Sequence, residues 1–327
     1  MTSSTFRTAC AAAGMALAFC AAPAHAQAPY PNRPISLIVG YPAGGSTDLT
    51  GRTLGEALAR QLGVPVVIEN VGGAGGAIGA QKAVSAAPDG YTLFVGASNE
   101  VAIARLINKT VKYNVQDFTP IGLIATQPMV LVTSAASGVK NVDQFIAKAK
   151  AAPGKYSYGS SGIGTALHLA GETIKERAGL FMTHIPYRGV APLTTDLVGN
   201  NLEYGLFVLS SGLPHIKSGK VVALGTTEAK RSPMTPDIPA LGEDPRLKGM
   251  DIGIWFALLG PAKLPEPVAA RLKTALAEVL KSPEFRKKME DSGSVVAQAG
   301  GGVDLARFLQ SEVAKYQKIV QFAKIEQ

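Results

Sequence analysis

Between Arg33 and Ala97 one hydrophobic pattern is used repeatedly: a short apolar run, a glycine-rich turn, then an amphipathic segment. Ile35-Ser36-Leu37-Ile38-Val39 predicts a first strand and Val64 to Glu69 a second, with Leu54, Leu58 and Leu62 forming a helical stripe between them. Tyr91-Thr92-Leu93-Phe94-Val95 predicts a third strand, introduced by the turn Pro88-Asp89-Gly90. Strands alternating with helices in this way imply an α/β chain with a parallel sheet.

Two more apolar runs follow, Ile121 to Ser134, broken by Pro128, and Val221 to Thr226. Between them lies a second alternating set. It comprises a helix from about Val142 to Ala151, a strand at Tyr156 to Gly159, and a helix from Thr165 to Ala178. It continues through a strand ending at Tyr187, a helix starting near Pro192, and a strand from Leu202 to Val208. The two runs are therefore expected to be crossings between two lobes, with residues 27–124 and 227–327 in the first and 125–226 in the second. Pro233, Pro236 and Pro239 suit a surface connection, since each fixes φ and lacks an N–H. From Pro265 the tail is helical by period, with Val268, Leu272, Leu276 and Leu280 on one face, and is expected to pack on the first lobe.

The amino end changes how the composition is read. Arg7, the apolar stretch Ala11 to Ala22 and the small-residue site Ala24-His25-Ala26 predict an export signal, residues 1–26, cleaved near Ala26. A membrane anchor would need roughly 20 apolar residues, and the bulky Phe19 before Cys20 argues against lipoprotein processing. The expected location is the periplasm. Cys10 and Cys20 leave with the signal, which excludes a disulfide, a thiolate metal site and a cysteine nucleophile in the mature chain. Removing Arg7 and no acid lowers the net charge from +8 to +7. A positive balance favours anionic small molecules or acidic partners. Nucleic acid is not expected, because the charges are scattered and no basic run carries interleaved aromatics.

Candidate chemistry sits in the loops after the strands. Tyr41 and the loop Pro42-Ala43-Gly44-Gly45-Ser46-Thr47-Asp48 open the first helix, so that Ala43, Gly44, Gly45 and Thr47 can present backbone and hydroxyl donors to an anion. The same residues also suit an ordinary tight turn with Ser46 or Thr47 as N-cap. Asp48 either contacts ligand through water or pairs with Arg52 one turn on. Asn70-Val71-Gly72-Gly73-Ala74-Gly75-Gly76 repeats the device with Gly75 and Gly76, and Gly96-Ala97-Ser98-Asn99 adds Ser98 and Asn99. Three such loops on one sheet edge converge on a crevice. The glycine spacing after the second strand is a poor dinucleotide fingerprint.

The second set supplies Gly159-Ser160-Ser161-Gly162-Ile163-Gly164-Thr165 before a helix bearing His168, with Ser160, Gly164, Thr165 and His168 as candidates. Ile163 stands where a nucleophile elbow needs glycine. His168, His184 and His215 are isolated in sequence and form no metal-ligand pair, so no catalytic residue, metal or cofactor is expected. Pro186-Tyr187-Arg188-Gly189 places Tyr187 and Arg188 on a loop, where Arg188 either clamps a carboxylate or faces solvent. Phe207 is a further candidate, on the strand before Leu213-Pro214-His215.

With these residues in view the chain resembles the Bug/TctC family, the periplasmic solute receptors of tripartite tricarboxylate transporters. The likeness runs through Tyr30-Pro31-Asn32-Arg33-Pro34-Ile35, Pro42 to Asp48, Asn70 to Gly76 and Pro88-Asp89-Gly90-Tyr91-Thr92-Leu93. It continues in Gly162-Ile163-Gly164-Thr165-Ala166-Leu167-His168-Leu169, Ile185 to Gly189, Leu213 to Lys220, Ala229-Lys230-Arg231-Ser232-Pro233 and Trp255. The resemblance implies an α/β, two-lobed periplasmic binding protein (type II) fold, each lobe a mostly parallel sheet flanked by helices, with the ligand cleft between lobes. It also implies capture of a small organic carboxylate by main-chain amides, hydroxyls and bridging waters, and delivery to a two-subunit membrane permease, without chemistry. A monomer is expected.

Departures from the family pattern bear on the ligand. Many relatives carry an Asp-Asn pair where this chain has Phe207-Val208, which disfavours an amino-acid ligand and points to an apolar or aromatic-bodied carboxylate. Gly40 replaces a common proline and Gly51 a common alanine, which is expected to loosen the backbone. The competing functions are an exported hydrolase using Ser160 or Ser161 with His168, and a sensor presenting its closed form to a membrane partner. A nicotinamide oxidoreductase is disfavoured, because this signal has only Arg7 and no twin arginine.

Overall fold

In the first sheet β1 (Ile35–Val39) lies between β2 (Val66–Asn70) and β3 (Thr92–Ala97), all parallel, with Ile35 opposite Val66 and Ser36 opposite Thr92. The computed structural model describes residues 29–299 and 304–325, so the expected signal lies outside the described residues. β9 (Gly253–Pro261) runs antiparallel between β3 and β4 (Phe118–Ser134). The second sheet has the parallel order β6 (Thr183–Pro186), β5 (Ser157–Ser160), β7 (Tyr204–Val208), and joins β4 antiparallel through β7. β8 (Val221–Thr226) also pairs with β4, and the short β10 (Val295–Val296) pairs with its first half.

The two lobes thus share one strand. β4 pairs with β9 from Phe118 to Pro128, then with β7 from Met129 to Thr133. Its 17 residues would span about 55 Å if fully extended. Pro128 does not break this strand; it stands at the changeover between partners, where a missing N–H costs least. The return crossing follows β8, where Thr227 N–H donates to Met129 O at 2.9 Å and Ile252 N–H to Thr227 O at 2.8 Å.

β9 is an element that the hydrophobic pattern did not announce. Gly253–Pro261 is buried from Ile254 onward and lacks alternation, because helices cover both faces of the strand. The first helix, Ser46–Leu62, buries the expected stripe of Leu54, Leu58 and Leu62. Gly51 serves close packing rather than looseness: a Cβ there would stand 2.7 Å from Val39 Cγ2. Gly40 is similar, with Gly76 O at 3.0 Å from the corresponding position. The tail helix Glu266–Lys281 buries Leu272 and Leu276 against the first lobe, as expected. The last helix, Leu305–Phe322, lies under β9, where Trp255 Nε1–H donates to Glu312 Oε2 at 3.0 Å and Tyr316 O–H to Gly253 O at 2.6 Å.

Candidate functional site

The parallel strands of both sheets end at one cleft, so their following loops face each other. An open cavity of about 850 Å³ is bounded on one side by Tyr41, Asn70, Gly72 to Gly76, Asn99 and Ile107. Ser161 to Gly164 and Pro186 to Gly189 bound the other side. Behind it lies a smaller cavity of about 60 Å³, which shares Tyr41, Pro42, Asn99, Ser161, Arg188 and Gly189 with the first.

Four helices point their amino ends at the smaller cavity. Ser46 and Thr47 belong to the helix Ser46–Leu62, Leu167 to Ala166–Ala178, Val190 and Ala191 to Val190–Val198, and Ser211 to Leu209–Lys217. Three of these helices begin at Gly45, Gly189 and Val208, none of which supplies a side-chain cap. Their first-turn N–H groups carry the positive end of the helix dipole, and in the third of them Ser210 N–H donates to Gln127 Oε1 at 3.4 Å. Among the described residues no Asp or Glu lines either cavity, and Arg188 is the sole charged residue that does.

Ten of the residues singled out in the sequence line these cavities: Tyr41, Ala43, Gly45, Thr47, Gly75, Gly76, Asn99, Gly164, Tyr187 and Arg188. Seven do not, and each has structural work elsewhere. Asp48 accepts from Gly44 N–H at 2.9 Å, Arg52 Nε–H at 3.0 Å and Asn70 Nδ2–H at 2.9 Å, so it bolts the loop to the helix and to β2. Burial pushes its carboxyl up, but these three partners together hold it below the usual carboxylate value. Gly44 turns with φ of 91° beside it. Ser98 Oγ accepts from Trp255 N–H at 3.1 Å, and Thr165 caps His168 N–H. Phe207 is fully buried in the second lobe's core beside Leu193 and Leu213, whereas its neighbour Val208 lines the smaller cavity, as strand alternation requires.

Sequence reasoning missed Ser46, Ser161, Ser211 and Ile254 as lining residues. Ser46 and Ser161 sit inside the glycine-rich loops after β1 and β5, whose composition already signals them. Ile254 lies on β9, which the pattern hid.

A model of the tripartite tricarboxylate transporter family receptor, TctC, matches residues 50–325. The chain belongs to this family. BugT of Bordetella pertussis is 34% identical over 272 residues, covering 82% of each chain. Among solved structures, an R. palustris protein with adipate superimposes with a TM-score of 0.86 at 29% identity, covering 91% of this chain and 99% of that one. MatC from Rhodopseudomonas palustris with bound malate gives 0.83 at 28% identity, covering 89% and 100%. The protein is thus a solute-binding receptor of the TctC/Bug family, with its two-lobed α/β fold. Among the described residues no helix is long and apolar enough to cross a membrane.

His168 and His184 of this TctC receptor are not isolated from each other in space. Ser160 Oγ lies 2.7 Å from His184 Nε2, and His184 stacks on His168, whose Nδ1 accepts from Gly164 N–H at 3.1 Å. Burial pulls the His168 ring down to about 4 and that of His184 to about 3, so both are neutral near pH 7. The competing hydrolase reading paired Ser160 or Ser161 with His168; among the described residues Ser160 instead meets His184 and is fully buried, while Ser161 faces the cleft without a histidine partner.

Proposed function

We propose that this receptor captures a small organic carboxylate between its lobes and hands it to a two-subunit membrane permease. The observation that carries the reading is the smaller cavity, where three helix amino ends without side-chain caps meet and no acidic residue lines the wall. Unpartnered N–H groups and aligned dipoles attract an anion, and the wall offers no carboxylate to an ammonium. That disfavours an amino acid. Leu167, Val190, Val208 and Ile254 supply an apolar wall for the ligand's body. Adipate and malate in the two structural neighbours belong to the same chemical class.

In this reading the ligand contacts come from Tyr41, Ala43, Gly45, Thr47, Gly75, Gly76, Asn99, Gly164, Tyr187 and Arg188, joined by Ser46, Ser161 and Ser211. Micromolar capture needs about 8 kcal/mol. Four to six hydrogen bonds to a charged group, at roughly 1.5 to 3 kcal/mol each, supply it when the donors are fixed in advance. Lobe one is residues 27–124 and 227–327, and lobe two is 125–226. The change of partner in β4 and the return at Thr226 and Thr227 support those limits. The hinge lies near Ile124 to Pro128 and Ala223 to Thr226. The protein works as a periplasmic monomer after losing residues 1–26.

A thermal-shift screen with malate, adipate, citrate, benzoate, glutamate and ATP tests the proposal. A ligand at 100 times its Kd adds about 2.7 kcal/mol of stability. Stabilisation by a carboxylate lacking an amino group is expected; a response confined to glutamate or ATP would overturn the ligand class.

A further inference from the structure

Asn99 opens the short π-helical segment Asn99–Ile103 that follows β3 of the first lobe and is nearly fully buried. Its Oδ1 accepts the main-chain N–H of Ala166 at 2.7 Å, and its Nδ2–H donates to the Tyr41 hydroxyl at 2.7 Å. That hydroxyl donates in turn to Gly75 O, also at 2.7 Å. Ala166 is the first residue of the helix Ala166–Ala178 in the second lobe. Three consecutive hydrogen bonds thus run from a helix end in one lobe to the glycine loop of the other, along the wall of the cleft.

The Ala166 N–H is one of the four at a helix start that have no partner within the helix. Thr165, the residue before it, accepts from His168 N–H instead. Ala166 is fully buried, so Asn99 provides the acceptor that the closed arrangement would otherwise deny it. The Gly164 backbone also meets the Ile107 side chain closely: a Cβ on Gly164 would stand 3.2 Å from Ile107 Cγ2 across the cleft.

We propose that Asn99 is the closure latch of the cleft, a positioning residue that holds the two lobes together before a ligand arrives. The helix ends around the smaller cavity are then already aimed when the solute enters. Apparent affinity depends on the fraction of chains so latched, since a ligand's Kd is divided by the population of the competent form. The inference rests on the two-lobed receptor reading but not on the ligand. It is tested without ligand, so its failure leaves the carboxylate proposal standing, and the reverse also holds.

The measurement is amide hydrogen exchange by NMR, with small-angle scattering, on the ligand-free wild type, Asn99→Leu and Asn99→Asp. Asn99→Leu keeps the bulk and removes the acceptor, whereas Asn99→Asp keeps an acceptor for Ala166. In Asn99→Leu the Ala166 amide should exchange roughly tenfold faster or more, the value expected for a lost hydrogen bond. The radius of gyration should rise, and the Ala170 amide in the same helix should be unchanged. Asn99→Asp should retain wild-type protection at Ala166. A merely structural role would instead speed exchange throughout both lobes. Wild-type exchange and radius in Asn99→Leu would overturn the latch. Should Asn99→Leu fail to fold, an unprotected Ala166 amide in the wild type or in Asn99→Asp would overturn it equally.

Discussion

The imidazole of His168 lies flat on that of His184, with ring centroids 3.9 Å apart and planes 13° from parallel. Tyr158 also stacks with His184, at 5.0 Å, and donates its O–H to Glu172 at 2.6 Å, while Lys175 pairs with the same carboxylate at 2.8 Å. This packet lies directly behind the Ser160 to Thr165 loop, which it holds through Ser160 Oγ and the Gly164 N–H.

Acid should therefore loosen the second lobe. Burial depresses both rings, to about 4 for His168 and about 3 for His184, against 6.5 when unfolded; Glu172 opposes the shift at His168, and Lys175 reinforces both. For a histidine held neutral, the unfolded chain binds more protons in acid. The stability contribution is full above pH 6.5 and falls as pH drops from 6.5 toward 3. The loss should be on the order of 3 kcal/mol per ring by pH 4.5, since one pKa unit corresponds to about 1.4 kcal/mol. Urea denaturation at pH 7.5 and 4.5 should show His184→Phe losing less stability in acid than the wild type. An equal loss in both proteins would refute the assignment.

Glu100 predicts the opposite trend. It is almost fully buried, Oε1 accepts from Ala97 N–H at 2.7 Å, and Oε2, beside Gly76, has no partner among the described residues. Desolvation raises its carboxyl to about 8, against two hydrogen bonds that lower it. An acid with a raised folded pKa contributes fully below its unfolded value of 4.5 and loses that contribution as pH climbs through 8. Glu100→Gln keeps the acceptor for Ala97 and removes the titration. Its stability should match the wild type near pH 4.5 and exceed it at pH 8, by on the order of 4 kcal/mol. Parallel pH profiles for the two proteins would sink this account.

The contrast between these buried groups and the loops explains what was legible in the sequence. Period and turn chemistry located β1, β2 and β3, the helix stripe Leu54, Leu58 and Leu62, and the loops that line the cleft, because local geometry dictates them. The His168–His184 stack joins a helix to a strand, and Asn99 reaches from one lobe to the other, so neither leaves a trace in spacing. β9 escaped because burial on both faces erases alternation. Asp48 and Ser160 sit in glycine-rich loops, which points to the site, but their side chains turn inward to hold those loops.

Phe207 and Val208 separate stability from recognition. Phe207 fills the second core, so Phe207→Ala should lower unfolding free energy by about 3 to 5 kcal/mol, the usual cost of emptying a buried phenylalanine. The order of preference among carboxylates should not change. Val208 lines the smaller cavity and precedes a helix without a side-chain cap. Val208→Asp places a carboxylate where the proposed ligand's own carboxylate belongs, and it would cap the Leu209–Lys217 helix itself. Carboxylate affinity in calorimetry should then fall by a factor of about 100 or more, since losing charged hydrogen bonds worth roughly 1.5 to 3 kcal/mol each is added to like-charge repulsion. Arg188→Ala, on the exposed wall of the same cavity, should weaken binding by about tenfold, and both effects should shrink as salt screens the charges. If Val208→Asp binds carboxylates as tightly as the wild type does, the anion does not sit at these helix ends, and the larger outer cavity must hold it instead.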